Sequence, residues 1–363
     1  MEKLTNDLHR KVSGWESVCC ATTGASHIQE GIVCQDKTCT LEQNGVRAFA
    51  LADGAGSARL SHFGAQTVTE RICRLLCGSF DRLYTMTVPA QAKELILGEL
   101  LAALKETADT HGCRLGDLAS TLLAAAVCGD RYILMHIGDG VIGYVKDDEI
   151  RVASAPSNGE FANTTTFVTS EGAMRDMRIR KGASGAVQGF VLMSDGSEAS
   201  LFSKQKMCLA PVLKRLVQRL SMTSAEFLRP SLQKSLDEVV SRKTRDDCSL
   251  VLAARMERTY VPLSRERQEV LFDRPDDAMT GEEWELQRSL FARLLDSLER
   301  EMELQELCER LEQEDSERLY RDGLLPLLDM GYITKSEDGK YRRAICCGSA
   351  QEEPDENRGM QDA

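Results

Sequence analysis

Five short apolar runs punctuate an otherwise polar chain: Val46–Ala52, Thr121–Val127, Tyr132–Ile137, Phe190–Met193 and Leu250–Ala254. Each has the length of a buried strand and is bounded by turn-forming residues. Between them the period lengthens to that of a helix. After Ser61, a residue suited to capping a helix N-terminus, Ala65, Val68, Ile72 and Leu75 fall on one face. Leu95–Leu104 predicts a second helix, more uniformly apolar, as if covered on two sides. Val212–Leu220 and Phe227–Val240 predict two more. The strands come in groups with helices between the groups, so a strict strand–helix alternation does not fit. The expected class is α+β, with packed antiparallel sheets and flanking helices rather than a doubly wound parallel sheet.

This pattern fills residues 1–256, read as one domain. Within it, Ala155–Gly185 is rich in Gly, Ser, Asn and Thr, and reads as a surface excursion between two strands. Residues 257–279, with Pro262 and Pro275, read as a linker. From Thr280 the composition shifts. Thr280-Gly-Glu-Glu283 matches a capping box, and Phe291, Leu295, Leu298 and Met302 follow at helical spacing. Residues 280–348 are therefore expected to form a helical extension, with a hairpin turning at Asp338-Gly339. The polar residues 349–363 read as a disordered tail.

Charge and cysteine usage narrow the function classes. The net charge is −12 over 363 residues, which offers no electrostatic footprint for nucleic acid or an anionic membrane. No apolar run reaches the length of a membrane span. The start, MEKLTNDLHRKV, is charged where a signal peptide is apolar. Thirteen cysteines are an odd number and include two adjacent pairs, Cys19-Cys20 and Cys346-Cys347. That is unlike a disulfide framework, so a reducing cytoplasm is the simplest location.

The chemistry lies in a recurring local pattern. Ala52-Asp53-Gly54-Ala55-Gly56, Ile137-Gly138-Asp139-Gly140, Met193-Ser194-Asp195-Gly196 and Arg245-Asp246-Asp247-Cys248-Ser249 each set an aspartate among small or polar residues at the end of an apolar run. Cys34-Gln35-Asp36 precedes the first run. A carboxylate at a strand end is held rigidly yet reaches solvent, and a following glycine brings its carbonyl close to a ligand. Oxygen donors of this kind suit Mg²⁺ or Mn²⁺. Zinc is disfavoured, because the five histidines include no pair at ligand spacing. One Asp-Gly is usually just a turn; four in this order are more informative.

Gly24-Ala-Ser-His27, Cys34-Gln35-Asp36, Ala52-Asp53-Gly54-Ala55-Gly56-Ser57, Ser120-Thr121-Leu122, Gly138-Asp139-Gly140, Ser194-Asp195-Gly196 and Arg245-Asp246-Asp247 together resemble, in order, the motifs of type 2C metal-dependent serine/threonine protein phosphatases, bacterial branch. The resemblance spans about residues 14–256. It implies a four-layer αββα sandwich and two, with a weaker third, Mn²⁺ or Mg²⁺ ions. It further implies that Asp53 bridges two of them with help from the Gly54 carbonyl, and that Asp195 and Asp246 complete the first shell. Asp139 would share the third site with Asp195, and Asp36 would orient the water. The implied reaction is direct attack of water, activated by two cations, on phosphoserine or phosphothreonine.

Three departures accompany the resemblance. Gln35 stands where the family usually has Glu, and Gly31 where it usually has a phosphate-gripping arginine. Ala55 stands where eukaryotic members carry a histidine. His27 and Arg59, with Gln35, are the candidate substrate-binding residues, and His62 or a bound water is the candidate proton source. The implied partners are a phosphorylated protein, a kinase that makes it, and a protein or second copy met by the C-terminal helix. A second reading follows from the departures: a catalytically weakened phosphatase-like domain acting as a regulatory or binding module. A two-metal nuclease is disfavoured by the absence of a basic groove.

Overall fold

The structure is a computed structural model and describes residues 14–156, 165–223, 225–256, 281–298, 300–329 and 332–343. The expected linker, tail and capping Thr280 lie outside the described residues.

Residues 14–256 form two five-stranded sheets. One has the order β1 (Trp15–Thr22), β12 (Cys248–Arg255), β9 (Val187–Met193), β6 (Val141–Lys146), β7 (Glu149–Ser154). The other runs β2 (Lys37–Gln43), β3 (Val46–Ala52), β4 (Leu122–Cys128), β5 (Arg131–Ile137), β8 (Arg178–Ala183). Every neighbouring pair is antiparallel. Face-to-face stacking explains why the central strands read as unbroken apolar runs. Along β3, Phe49 and Leu51 point between the sheets, whereas Ala48, Ala50 and Ala52 point to the helical layer. β12 divides the same way: Val251 and Ala253 face the other sheet, and Leu250, Leu252 and Ala254 face the helices.

Helices cover both outer faces. α2 (Ser61–Thr85) buries Ala65, Val68, Ile72 and Leu76 against β3 and β4, and α3 (Pro89–His111) packs on α2 through Ile96, Leu100 and Leu104. On the other sheet, α6 (Pro211–Met222) and α7 (Ala225–Ser235) cover β12, β9 and β1 through Leu213, Val217, Leu228 and Leu232. The result is the expected αββα sandwich. A short helix, α1 (Ala25–Glu30), and a later one, α5 (Asp195–Leu201), sit at one end of it, and the two-residue strands β10 (Phe202–Ser203) and β11 (Cys208–Leu209) pair after α5.

Two local expectations change. Ser61 is the first residue of α2 rather than its cap; Leu60 holds the cap position with no side-chain bond. The Ser61 side chain is buried, packed where a Cβ on Gly54 would lie 2.8 Å from its hydroxyl. The 155–185 excursion also contains regular structure, since α4 (Ala173–Asp176) leads into edge strand β8.

Residues 281–343 have an apolar core of their own. α8 (Gly281–Ser297), α9 (Leu304–Arg310), α10 (Ser316–Leu319) and α11 (Leu325–Asp329) gather Phe291, Leu294, Leu298, Leu307 and Leu324. The hairpin β13 (Ile333–Lys335) and β14 (Tyr341–Arg343) adds Ile333 and Tyr341, and turns through Gly339 at φ 80°.

Phe190 is the keystone between the sheets. It stacks on Trp15 at 5.6 Å and meets Phe49 at 6.2 Å and Tyr132 at 5.3 Å between ring centroids. Phe190→Ala is expected to cost about 3–5 kcal/mol, measured as a shift in the urea midpoint at constant slope.

Candidate metal centre

The antiparallel registers bring distant aspartates to one end of the sandwich. Lys37 pairs with Ala52, so Asp36 enters β2 beside Asp53, which leaves β3. Leu250 pairs with Met193, so Asp246 precedes β12 near Asp195, which follows β9. Asp139 lies in the turn from β5 to β6, crossing between the sheets.

That turn is built for its task. Gly138 has φ 115°, a conformation that L side chains rarely adopt, and a Cβ there would lie 2.6 Å from Thr121. His136 stands 2.9 Å from the Gly138 carbonyl and 2.8 Å from the Ser154 hydroxyl. Burial, with Arg178 beside it, pushes the pKa of His136 down to about 3, so the ring is a neutral tether. Thr121 also fixes Asp53: its hydroxyl accepts from the Asp53 N–H at 2.9 Å, and its own N–H donates to the Asp53 carbonyl at 2.8 Å. Gly196 follows Asp195 because a Cβ there would meet the Asp247 carbonyl at 2.0 Å.

Carboxylate oxygens of Asp53, Asp139 and Asp195 lie within 4.8 Å of one another. They line an open cleft of about 520 Å³ with Ser26, His27, Gln35, Gly54, Arg245 and Asp246. Asp36 is buried beneath. Ser194, Ser249 and Asp53 are beside it, yet neither carboxylate oxygen has a well-aligned hydrogen-bond partner. Asp195 Oδ1 is equally unpartnered.

Burial, then the charges of Asp36, Asp195 and Asp246, holds the Asp53 pKa far above the carboxylate range. Burial also lifts Asp36 to about 6, with Asp247 adding repulsion. Asp195 rises to about 7 through burial and then Asp139, Asp246 and Asp36. Crowded, unpartnered oxygens with no nitrogen or sulfur donor among them fit a hard divalent cation, which would satisfy the orphaned atoms and cancel the repulsion.

The structure separates the three substrate-binding candidates. His27 and Gln35 line the cleft; Arg59 is exposed beside Asp117 and is not among the lining residues. Arg245 is the arginine that lines it. Sequence reasoning missed three contributors. Arg245 was hidden as a flank of the Asp246 motif. Thr165 donates to Asp139 Oδ2 at 2.5 Å from the 155–185 excursion.

Asp247 was overshadowed by its neighbour and is the third. Its buried carboxylate accepts the Gly24 N–H at 2.7 Å and the Gln35 N–H at 2.5 Å. It also stands 2.9 Å from His27 Nδ1, a close polar contact without the alignment of a hydrogen bond. Cys34 and Cys248 lie nearby, but burial first and neighbouring aspartates next push both thiols up to about 12. Neither is a thiolate nucleophile.

Comparison with known proteins fits this geometry. The family model described as protein phosphatase 2C matches residues 23–240, more than half of the chain. The chain belongs to the protein phosphatase 2C family. It is 26% identical over 259 residues to serine/threonine-protein phosphatase 3 of Escherichia coli (strain K12), covering 66% of this chain and 98% of that protein. Among solved structures, a bacterial serine phosphatase aligns at TM-score 0.46 and 16% identity, over 68% of this chain and 99% of that one. The S. agalactiae serine/threonine phosphatase aligns at TM-score 0.45 and 16% identity, over 66% of this chain and 99% of that one. Like other members of the family, this phosphatase is expected to be metal-dependent. The family match ends before Asp246; pairing of β12 with both β9 and β1 brings that residue to the site. Among the described residues no helix is long and apolar enough to cross a membrane.

A pH dependence follows from the raised carboxylates. Their folded pKa values exceed the unfolded value near 4, so between about pH 4 and 7 the folded state binds more protons. Stability of the chelated phosphatase should therefore fall as pH rises through that window. Melting in EDTA should be higher at pH 5 than at pH 8, and Mn²⁺ or Mg²⁺ at pH 7.5 should restore it.

Proposed function

We propose that this protein phosphatase 2C hydrolyses phosphoserine or phosphothreonine in proteins, using two Mn²⁺ or Mg²⁺ ions, with a weaker third, held by Asp53, Gly54, Asp139, Asp195 and Asp246. The observation that carries the reading is the gathering of Asp53, Asp139 and Asp195 within 4.8 Å at the mouth of a cleft. Bound there, the cations would lower the pKa of water and neutralise charge on the phosphoryl oxygens.

The chain's own residues do the rest. Asp53, held on both sides by Thr121, would hold the cations through its carboxylate, with help from the Gly54 carbonyl. Asp195 and Asp246 approach from the other sheet, so the site closes only when the sandwich is assembled. Asp36, buried beneath the cleft with neither oxygen in a well-aligned hydrogen bond, would orient the attacking water. Gln35 lines the same wall and offers an amide where the family's usual residue is anionic. His27, braced by Asp247, presents its other ring nitrogen to the phosphoryl group in place of the family's arginine. No covalent intermediate is required, consistent with protonated thiols at Cys34 and Cys248. A serine/threonine kinase would supply the substrate. Residues 281–343, with their separate core, are the region through which a partner or a second copy would dock.

Asp53→Asn and Asp195→Asn test the metal assignment, because each removes a charge without removing volume. Both should lower kcat on p-nitrophenyl phosphate by about a thousandfold or more. Both should also melt higher than wild type in EDTA, where the repulsion is relieved, and lose the Mn²⁺-dependent rise. Retained activity with an unchanged metal response would remove these residues from the site.

His27→Ala is expected to raise KM for a phosphothreonine peptide about tenfold with a smaller change in kcat. Unchanged steady-state constants would return His27 to a purely structural place beside Asp247.

A further inference from the structure

The wall of the cleft formed by α1 is built inside out. A short helix on a globular domain normally turns its apolar side chains inward. α1 has no buried residue at all. It is attached through polar contacts: the Ser26 N–H donates to the Arg245 carbonyl at 3.0 Å, Arg245 donates to the Gln29 side chain at 3.2 Å, and His27 meets Asp247. Ile28 of α1, and Ile32 and Val33 just beyond its end, face solvent instead. Ile28 is 67% exposed, Val33 56% and Ile32 37%. Gly31, at φ 70°, turns the chain so that the Ile32 N–H closes back on the His27 carbonyl at 2.8 Å, keeping these residues together. Scattered exposed apolar residues need no explanation, but three within six consecutive residues between cleft-lining His27 and Gln35 do.

The position of this ledge says what would cover it. His27 and Gln35 line the cleft; Ile28 directly follows the first and Val33 lies two residues before the second. On the same cleft, Thr165 and Phe167 supply further lining from the excursion. A polypeptide whose phosphorylated side chain enters the cleft must carry its neighbouring residues over the rim. An extended chain advances about 3.3 Å per residue, so the first three neighbours sweep roughly 10 Å of it. The cleft itself is polar and anionic, and the ledge is apolar apart from Gln29 and Glu30, so the two surfaces select different parts of one ligand.

Resting on the phosphoprotein reading above, we infer that Ile28, Ile32 and Val33 form a docking ledge for apolar side chains flanking the phosphorylated residue. This phosphatase thereby selects sites whose neighbours within about three positions are Leu, Ile, Val or Met. The selection acts on substrate binding and leaves the chemistry of the phosphoryl group untouched.

The test compares wild type with Ile28→Asp/Val33→Asp and the milder Ile28→Ser/Val33→Ser, in Mn²⁺. The substrates are p-nitrophenyl phosphate and two phosphothreonine peptides that differ only in Leu against Ser two residues to either side. Wild type should favour the Leu peptide by about tenfold in kcat/KM, mostly through KM. Both variants, verified as folded by circular dichroism, should erase that preference while keeping p-nitrophenyl phosphate turnover within about twofold. No preference in wild type, or a preference that survives both variants, overturns the ledge. A fall in molecular mass by light scattering with peptide preference intact would reassign the patch to self-association and overturn it too. A wild type that hydrolyses neither p-nitrophenyl phosphate nor peptide would instead remove the phosphatase reading, and the ledge with it.

Discussion

Mutual repulsion among buried carboxylates is the constraint around which the rest of this phosphatase is arranged. Asp36, Asp53 and Asp195 are held where burial and neighbouring negative charge push their pKa values well above the ordinary range. A flexible loop would relieve such crowding by turning a side chain to water. Here the strands cannot. Asp53 is locked at the end of β3 by two hydrogen bonds to Thr121, and Asp139 sits in a turn whose glycine and neutral histidine leave it one conformation. The sandwich core, with Phe190 among Trp15, Phe49 and Tyr132, supplies the stability against which that strain is maintained. Folding and cation binding are thus linked: the same geometry is costly empty and favourable when filled.

Asp247 shows how one buried carboxylate can serve structure and function together. Two backbone N–H groups and an imidazole from the opening segment converge on it, joining residues 24–35 to β12. This attachment is polar throughout, which frees the apolar residues of α1 to face outward. Polar anchoring and apolar exposure are two sides of one design, and the docking ledge depends on it. Thr165 links the excursion to the site in a similar way, through its bond to Asp139.

Much of the sandwich was legible in the sequence, and the pattern of what was not is physical. The five apolar runs correspond to β3, β4 and β5 of one sheet and β9 and β12 of the other, all interior strands buried on both faces. Every strand that lacked such a run, apart from β6, is an edge. β2, β7 and β8 carry charges that discourage pairing with other chains, as in KTCTLEQ, EIRVAS and RIRKGA. β6 is interior but is interrupted by Gly143 and two register shifts. Edge strand β8 was hidden within a stretch that looked like loop for this reason.

The sequence by itself determined the chemistry available: aspartates beside glycines at the ends of apolar strands, a family pattern, and oxygen donors with no competing histidine pair. Those are local properties, set by residue type and spacing. Which aspartates meet, and which other residues join them, only the tertiary structure decided. Antiparallel register brings Asp36 beside Asp53 and Asp246 beside Asp195 across more than fifty residues of chain in the second case. Arg59, plausible by proximity in sequence, stays exposed and outside the cleft lining, while Arg245 and Thr165 enter the cleft from distant segments. Burial, pKa and the outward face of α1 are likewise products of packing, because each depends on what the other sheet places alongside.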